Sequence, residues 1–192
     1  MASNLVRWLV VASVPALSFV VGAIALPHPL PVSAEKDSVN REALGAAVSQ
    51  IKPAPKSVVD ATLGDAVKVL GADCPTAPLS RGARLSCRFY FEVIGDLDRD
   101  WMIFLHIDGH AGSSRIHGDH FPVNGKYQTT LWKVGDFIAD DWSSVVPRDV
   151  AACSYDVWLG FYIGEERLEW TAGNSAVHDG ANRVKVATVT VE

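Results

Sequence analysis

The 192-residue sequence is poor in cysteine, with three, and in methionine, with two, and its basic residues never gather into a block. Lys and Arg number 17 against 22 Asp and Glu, for a formal charge of -5 and a pI near 5.6. Without a basic stripe there is no counterion release to drive binding to a polyanion, so nucleic acid is excluded as a partner. There is no C-x-x-C pair, G-x-S-x-G elbow or phosphate-binding glycine loop, and no Ser/His/Asp order with its supporting context. These absences remove zinc-ribbon, α/β-hydrolase and nucleotide-binding frameworks and leave no cofactor to expect.

Long apolar runs are scarce too, with one exception at the start. Residues 8–26 carry no charge, and Arg7 is the only basic residue before them. The run approaches the ~20 residues that span a hydrocarbon core. It exceeds the usual apolar region of a cleaved signal, yet Ala23-Ile24-Ala25 is a small-residue site at which a peptidase can cut, and Pro15 and Gly22 weaken a spanning helix. Two outcomes stay open. Either the chain is a single-pass protein of the bacterial inner membrane with a periplasmic carboxyl-terminal domain, or it is released into the periplasm by cleavage near Ala25. In both, the rest of the chain leaves the cytoplasm. The positive mean hydropathy of +0.14 has its source here, because 19 of the first 26 residues are hydrophobic. Residues 27–192 are about 45% hydrophobic, an ordinary globular value.

The expected organisation is a transmembrane anchor or signal peptide (1–26), a Pro-rich linker holding a short amphipathic helix (27–60), and one β-sandwich domain (61–192). Pro27, Pro29 and Pro31 stiffen the spacer. Val39, Leu44, Val48 and Ile51 recur at near-helical spacing, with Asp37 or Ser38 as cap and Pro53 as stop. Beyond residue 60 the period becomes two. Strands are expected at 66–70, 85–94, 101–107, 128–132, 137–138, 154–163, 167–171 and 184–191, separated by Gly, Pro, Asp and Asn. Seven or eight such strands predict an all-β, two-sheet antiparallel sandwich of the immunoglobulin-like kind, preceded by the apolar helix.

Three cysteines outside the cytoplasm permit one disulfide. Placing Cys74 at the end of a first strand and Cys153 at the start of a late one puts both at the same end of a sandwich, which favours Cys74 with Cys153. Cys87, sharing parity with Leu85, Phe89 and Phe91, then reads as a buried thiol. Three unpaired cysteines are the alternative.

The order of motifs is more informative than any one of them. Leu63-Gly64-Asp65-Ala66-Val67 leads to Arg81-Gly82, then Leu97-Asp98-Arg99-Asp100-Trp101 enters Phe104-Leu105-His106-Ile107-Asp108. Gly118-Asp119-His120-Phe121-Pro122, Gly125-Lys126-Tyr127, Leu131-Trp132, Gly135-Asp136, Gly160-Phe161-Tyr162 and Asp179-Gly180-Ala181-Asn182-Arg183 follow. Over residues 63–191 this order resembles the extracytoplasmic immunoglobulin-like module at the carboxyl end of some bacterial membrane glycosyltransferases of the dolichyl-phosphate-mannose type. The resemblance implies a fold and an accessory role. It implies no transferase activity, because the catalytic residues of those enzymes belong to a multi-spanning domain and this sequence holds at most one span. A small residue or Gly usually precedes the Tyr of the late strand in that module. Here Ala152-Cys153-Ser154 stands there, which supports a local disulfide.

The densest polar constellation is His106, Asp108, His110, His117, Asp119 and His120. His106, Asp108, His117, Asp119 and His120 are the candidate metal ligands, since imidazole and carboxylate suit zinc or manganese, and they are the basis of a metal-enzyme reading. The plainer account is a turn at Asp119 whose carboxylate accepts backbone N–H bonds, with His106 a hydrogen-bonded core residue. Trp132, Trp158, Tyr162 and Trp170 are candidates for a sugar-stacking platform. Trp158 and Tyr162 share one parity of their strand, and Tyr155, Val157, Leu159 and Phe161 the other. Asp136, Asp140 and Asp141 lack the spacing of a calcium loop and read as a solvated rim. The function expected first is a non-enzymatic, membrane-tethered accessory or interaction subunit whose partner is an integral-membrane or envelope protein. Glycan binding comes second and metal-dependent catalysis third.

Overall fold

The structure, a computed structural model, describes residues 36–110, 112 and 115–192. The apolar segment 1–26 and the spacer to residue 35 lie outside the described residues. Among the described residues, no helix is long and apolar enough to cross a membrane.

The chain is all-β. Its strands are β1 (Val48–Ser49), β2 (Ser57–Leu63), β3 (Val67–Asp73), β4 (Arg84–Val93), β5 (Met102–Gly109), β6 (Arg115–His117), β7 (Phe137–Val145), β8 (Ser154–Ile163), β9 (Glu166–Arg167), β10 (Trp170–Gly173) and β11 (Val184–Thr190). They form two antiparallel sheets, one ordered β1-β7-β4-β3-β2-β10 and the other β11-β8-β5-β6, with β9 added to β8. Alternation along each strand sends one parity into a shared core. In β4 that set is Leu85, Cys87, Phe89, Phe91 and Val93, and in β8 it is Tyr155, Val157, Leu159 and Phe161. Phe91 of the first sheet meets Phe161 of the second edge-on at 5.4 Å, and Trp132 closes the cluster at 6.0 Å from Phe161.

Several expectations are corrected. Residues 128–132 do not form a strand; Thr129–Leu131 is a 3-10 turn. The two threonines are the reason: Thr129 accepts the Trp101 N–H and donates to the Arg99 carbonyl, and Thr130 donates to Asp100. Side-chain bonds to the backbone here replace a sheet ladder. The turn plugs one end of the core with Tyr127 and Trp132, whose polar tips reach the Leu131 carbonyl and the Tyr127 carbonyl. The expected strand 167–171 is split between the two sheets as β9 and β10. A strand within the expected linker, β2, pairs β3 and begins before residue 61.

The amphipathic helix shrinks to one turn, α1 (Arg41–Leu44), capped by Asn40 and ended at Gly45, where φ is +53°. The chain then extends as β1 against β7. Asp136, nearly fully buried, accepts Arg41, Gln50 and Tyr127 and so holds this segment on the sheet.

The disulfide is Cys74–Cys87, with Cα atoms 4.4 Å apart, and Cys153 is a free, half-buried thiol. Asp73 of β3 pairs Arg88 of β4, so the next rung of the same antiparallel ladder sets Cys74 beside Cys87. Cys153 precedes β8 in the other sheet.

Candidate functional site

The outer face of the five-stranded sheet gathers most of the residues singled out by their chemistry. Register explains the gathering. His106 on β5 lies opposite His117 on β6 and Trp158 on β8; Asp108 lies opposite Arg115 and Asp156; Phe104 lies opposite Gly160. Ile103, Leu105, Ile107, Val157 and Leu159, of the other parity, are buried in the core. Gly160 is required where Phe104 crosses it, since a Cβ there would stand 2.4 Å from the ring. Arg167 caps Phe104 at 4.6 Å from its centroid, and Arg183 caps Trp158 at the same distance.

Five expected metal ligands part into two groups. Asp108 is taken by two guanidiniums, Arg115 at 2.6 and 3.1 Å and Arg183 at 2.7 Å. Burial opposes ionisation there, but the two arginines hold the carboxyl below its ordinary value. His120 turns from the face. Its Nδ1–H donates to the Gly118 carbonyl at 2.6 Å, and Nε2 meets Asp140 at 2.7 Å. A carbonyl and a carboxylate both only accept, so both contacts need the imidazolium. Burial works against that charge, but the Asp140 bond and charge raise the His120 pKa. Asp108 and His120 are therefore corrected from metal ligands to ion-pair residues.

His106, His117 and Asp119 do come together, each offering a donor atom within 4.8 Å of the others. The two imidazoles are cross-strand partners with ring centroids 5.5 Å apart. His106 is buried, and its Nδ1 has no hydrogen-bond partner. Burial first, then the charge of Arg115, pushes its pKa down to about 4, so the ring is neutral at physiological pH. Asp119 accepts the Leu105 N–H through Oδ1 at 3.1 Å, and the Tyr162 hydroxyl faces the same carboxylate. A cleft of about 420 Å³ opens beside them, lined by Phe104, His106, Asp119, Tyr162, Glu165 and Arg167.

The aromatic candidates do not form one platform. Trp132 is 1% exposed and is corrected to a core residue. Trp170 stands on β10 in the other sheet, stacked on His178 at 4.7 Å. Only Trp158 and Tyr162 share the outer face, both half-exposed. The three aspartates read as a rim are separate as well. Asp136 and Asp140 are buried, and Asp141 pairs Arg88 on the surface. Sequence reasoning missed Phe104, Arg115 and Arg167. Arg115 shares parity with His117 and Asp119, a signal that was available.

No protein-family model matches the chain, and no curated protein matches it.

Proposed function

We propose that the chain is a non-enzymatic, membrane-tethered domain of the bacterial periplasm, of immunoglobulin-like topology, that serves as an accessory or interaction subunit of a membrane or envelope assembly. The observation that carries the reading is the Cys74–Cys87 bridge. Such a bond between adjacent strands persists in oxidising compartments and is rare in the cytosol. Residues 8–26 supply the route out and the tether. The motif order shared with the carboxyl-terminal module of bacterial membrane glycosyltransferases supports the accessory role. The interaction surface in this reading is the outer face of the five-stranded sheet, where Asp108 is locked between Arg115 and Arg183 and is thus suited to recognition more than to proton transfer.

The test has two parts. Cells quenched in acid and alkylated are expected to label one cysteine before reduction and three after; three labelled before reduction removes export. An alkaline wash is expected to leave the chain in the membrane fraction, and its release removes the tether. Glycan recognition is the second reading, favoured by half-exposed Trp158 and Tyr162 on one face beside Arg183 and Asp108. Titration of envelope glycans against the wild type and Trp158→Ala decides it; absence of binding by the wild type rejects it.

A further inference from the structure

The geometry points to a divalent transition-metal site of the zinc class formed by His106, His117 and Asp119, with its open coordination position facing the cleft between Phe104 and Tyr162. The site goes beyond the tethered-subunit reading and does not depend on where the domain resides.

Three observations carry it. The first is convergence. His106 and His117 come from opposite strands of one ladder, and Asp119 follows two residues after His117 with the same parity, so all three project from one face. Their donor atoms lie within 4.8 Å. Zinc bonds of about 2.0–2.2 Å set tetrahedral donors roughly 3.4 Å apart. Closing that gap asks for movement of little more than 1 Å, by the two exposed ligands against a fixed His106.

The second is the orphaned atom. His106 is 8% exposed, and its Nδ1 is buried without a hydrogen-bond partner. Leaving such a nitrogen unmatched costs free energy, and native folds rarely do so without reason. An ion beside the ring accounts for a buried imidazole nitrogen that no protein group bonds.

The third is the supporting shell. In a regular ladder the Leu105 N–H would bond the Gly118 carbonyl; instead it bonds Asp119 Oδ1, and Gly118 serves His120. The Asp119 carboxylate is thus oriented by the Leu105 N–H and by the Tyr162 hydroxyl beside it. Oriented carboxylates of this sort mark built metal sites. Two imidazoles with one carboxylate favour zinc-class ions over calcium or magnesium, which prefer oxygen alone. Three protein ligands leave a position for water or an oxygen donor of a bound molecule, and the 420 Å³ cleft gives access to it.

The experiment uses the untagged full chain in neutral detergent, stripped with a chelator and titrated with Zn²⁺ by calorimetry and with Co²⁺ by visible absorption. One equivalent is expected to bind with micromolar or tighter Kd, and Co²⁺ to show the intense bands of a four-coordinate site. His117→Ala, at an exposed position that leaves the fold intact, and Asp119→Asn are each expected to weaken Zn²⁺ binding at least roughly tenfold to 100-fold. His110→Ala and His178→Ala, outside the cluster, are expected to change nothing. The proposal is overturned if the wild type binds Zn²⁺ no tighter than about 1 mM. It is overturned equally if His117→Ala, folded by circular dichroism, binds as the wild type does.

Discussion

The His120–Asp140 pair gives the sharpest test of how this fold is held. Asp140 is fully buried and makes two bonds, to His120 Nε2 at 2.7 Å and to the Val123 N–H at 2.6 Å. The second bond secures a turn in which Val123 and Asn124 both have positive φ, a conformation a β-branched residue avoids. Asp140→Ala leaves a half-buried imidazolium and an unmatched buried N–H, and is expected to cost ~2–4 kcal/mol. Asp140→Asn is milder. Its amide can accept the Val123 N–H and donate to a neutral Nε2, so a charge-assisted bond is exchanged for a neutral one at a cost of ~1–2 kcal/mol.

The pH dependence separates this account from simple packing. The His120 pKa is raised in the fold, so the pair's contribution is fully present below the ordinary imidazole value of 6.5 and is lost as pH rises through the folded value. The stability difference between wild type and Asp140→Asn should therefore be largest near about pH 5.5 and shrink toward about pH 8.5. Groups common to both proteins cancel in the difference. Urea unfolding at a series of pH values measures it. A difference that is flat or grows with pH would mean that His120 is neutral in the native state, and would refute the ion-pair assignment.

Three further outcomes are expected. Gly160→Ala sets a Cβ 2.4 Å from the Phe104 ring and 2.7 Å from the Asn182 carbonyl, and should lower urea stability by ~1–3 kcal/mol through overpacking. Cys87→Ser opens a loop with a sequence separation of 13 and should cost ~3 kcal/mol, whereas Cys153→Ser, removing an unbridged thiol, should cost under ~1 kcal/mol by the same unfolding assay. Arg41→Ala should be felt at neutral pH and fade in acid. Burial alone would raise the Asp136 pKa, but Arg41, Gln50 and Tyr127 hold it below 3.8, so this stabilisation is present above that value and lost as pH falls through the depressed one. Removing Arg41, one-third exposed, should shift an acid-unfolding midpoint upward and cost ~1–3 kcal/mol at neutral pH.

The legible parts of the fold are those written at short range. Period-two alternation in β4 and β8 is visible residue by residue, because successive side chains point to opposite faces and the buried ones recur every second position, whereas in β11 a bulge between Lys185 and Ala187 shifts the buried parity from Val184 and Val186 to Val189 and Val191. The same signal misled at residues 128–132, where Thr129 bonds the backbone of Arg99 and Trp101 and Thr130 bonds the Asp100 carboxylate, about thirty positions away. Strand β2 was hidden because Pro53, Pro55 and Asp60 resemble linker composition while Val59, Ala61 and Leu63 carry its buried face.

The polar residues mark the boundary more clearly. Composition and spacing were enough to predict a mostly β fold, a strand at residues 101–107, and four histidines crowding one stretch. Which of them face one another was not a local property. His106 meets His117 only through the β5–β6 register; Arg183 captures Asp108 across 75 positions; Asp140 draws His120 away from a cluster it adjoins in sequence. Cys74 likewise found Cys87 because neighbouring strands share a rung, not because two strand ends share a side of the domain. A backbone period needs only the residue's own neighbours. A hydrogen-bond or ion-pair partner is chosen by register and by competition among distant groups, and only the folded sheets bring those competitors together.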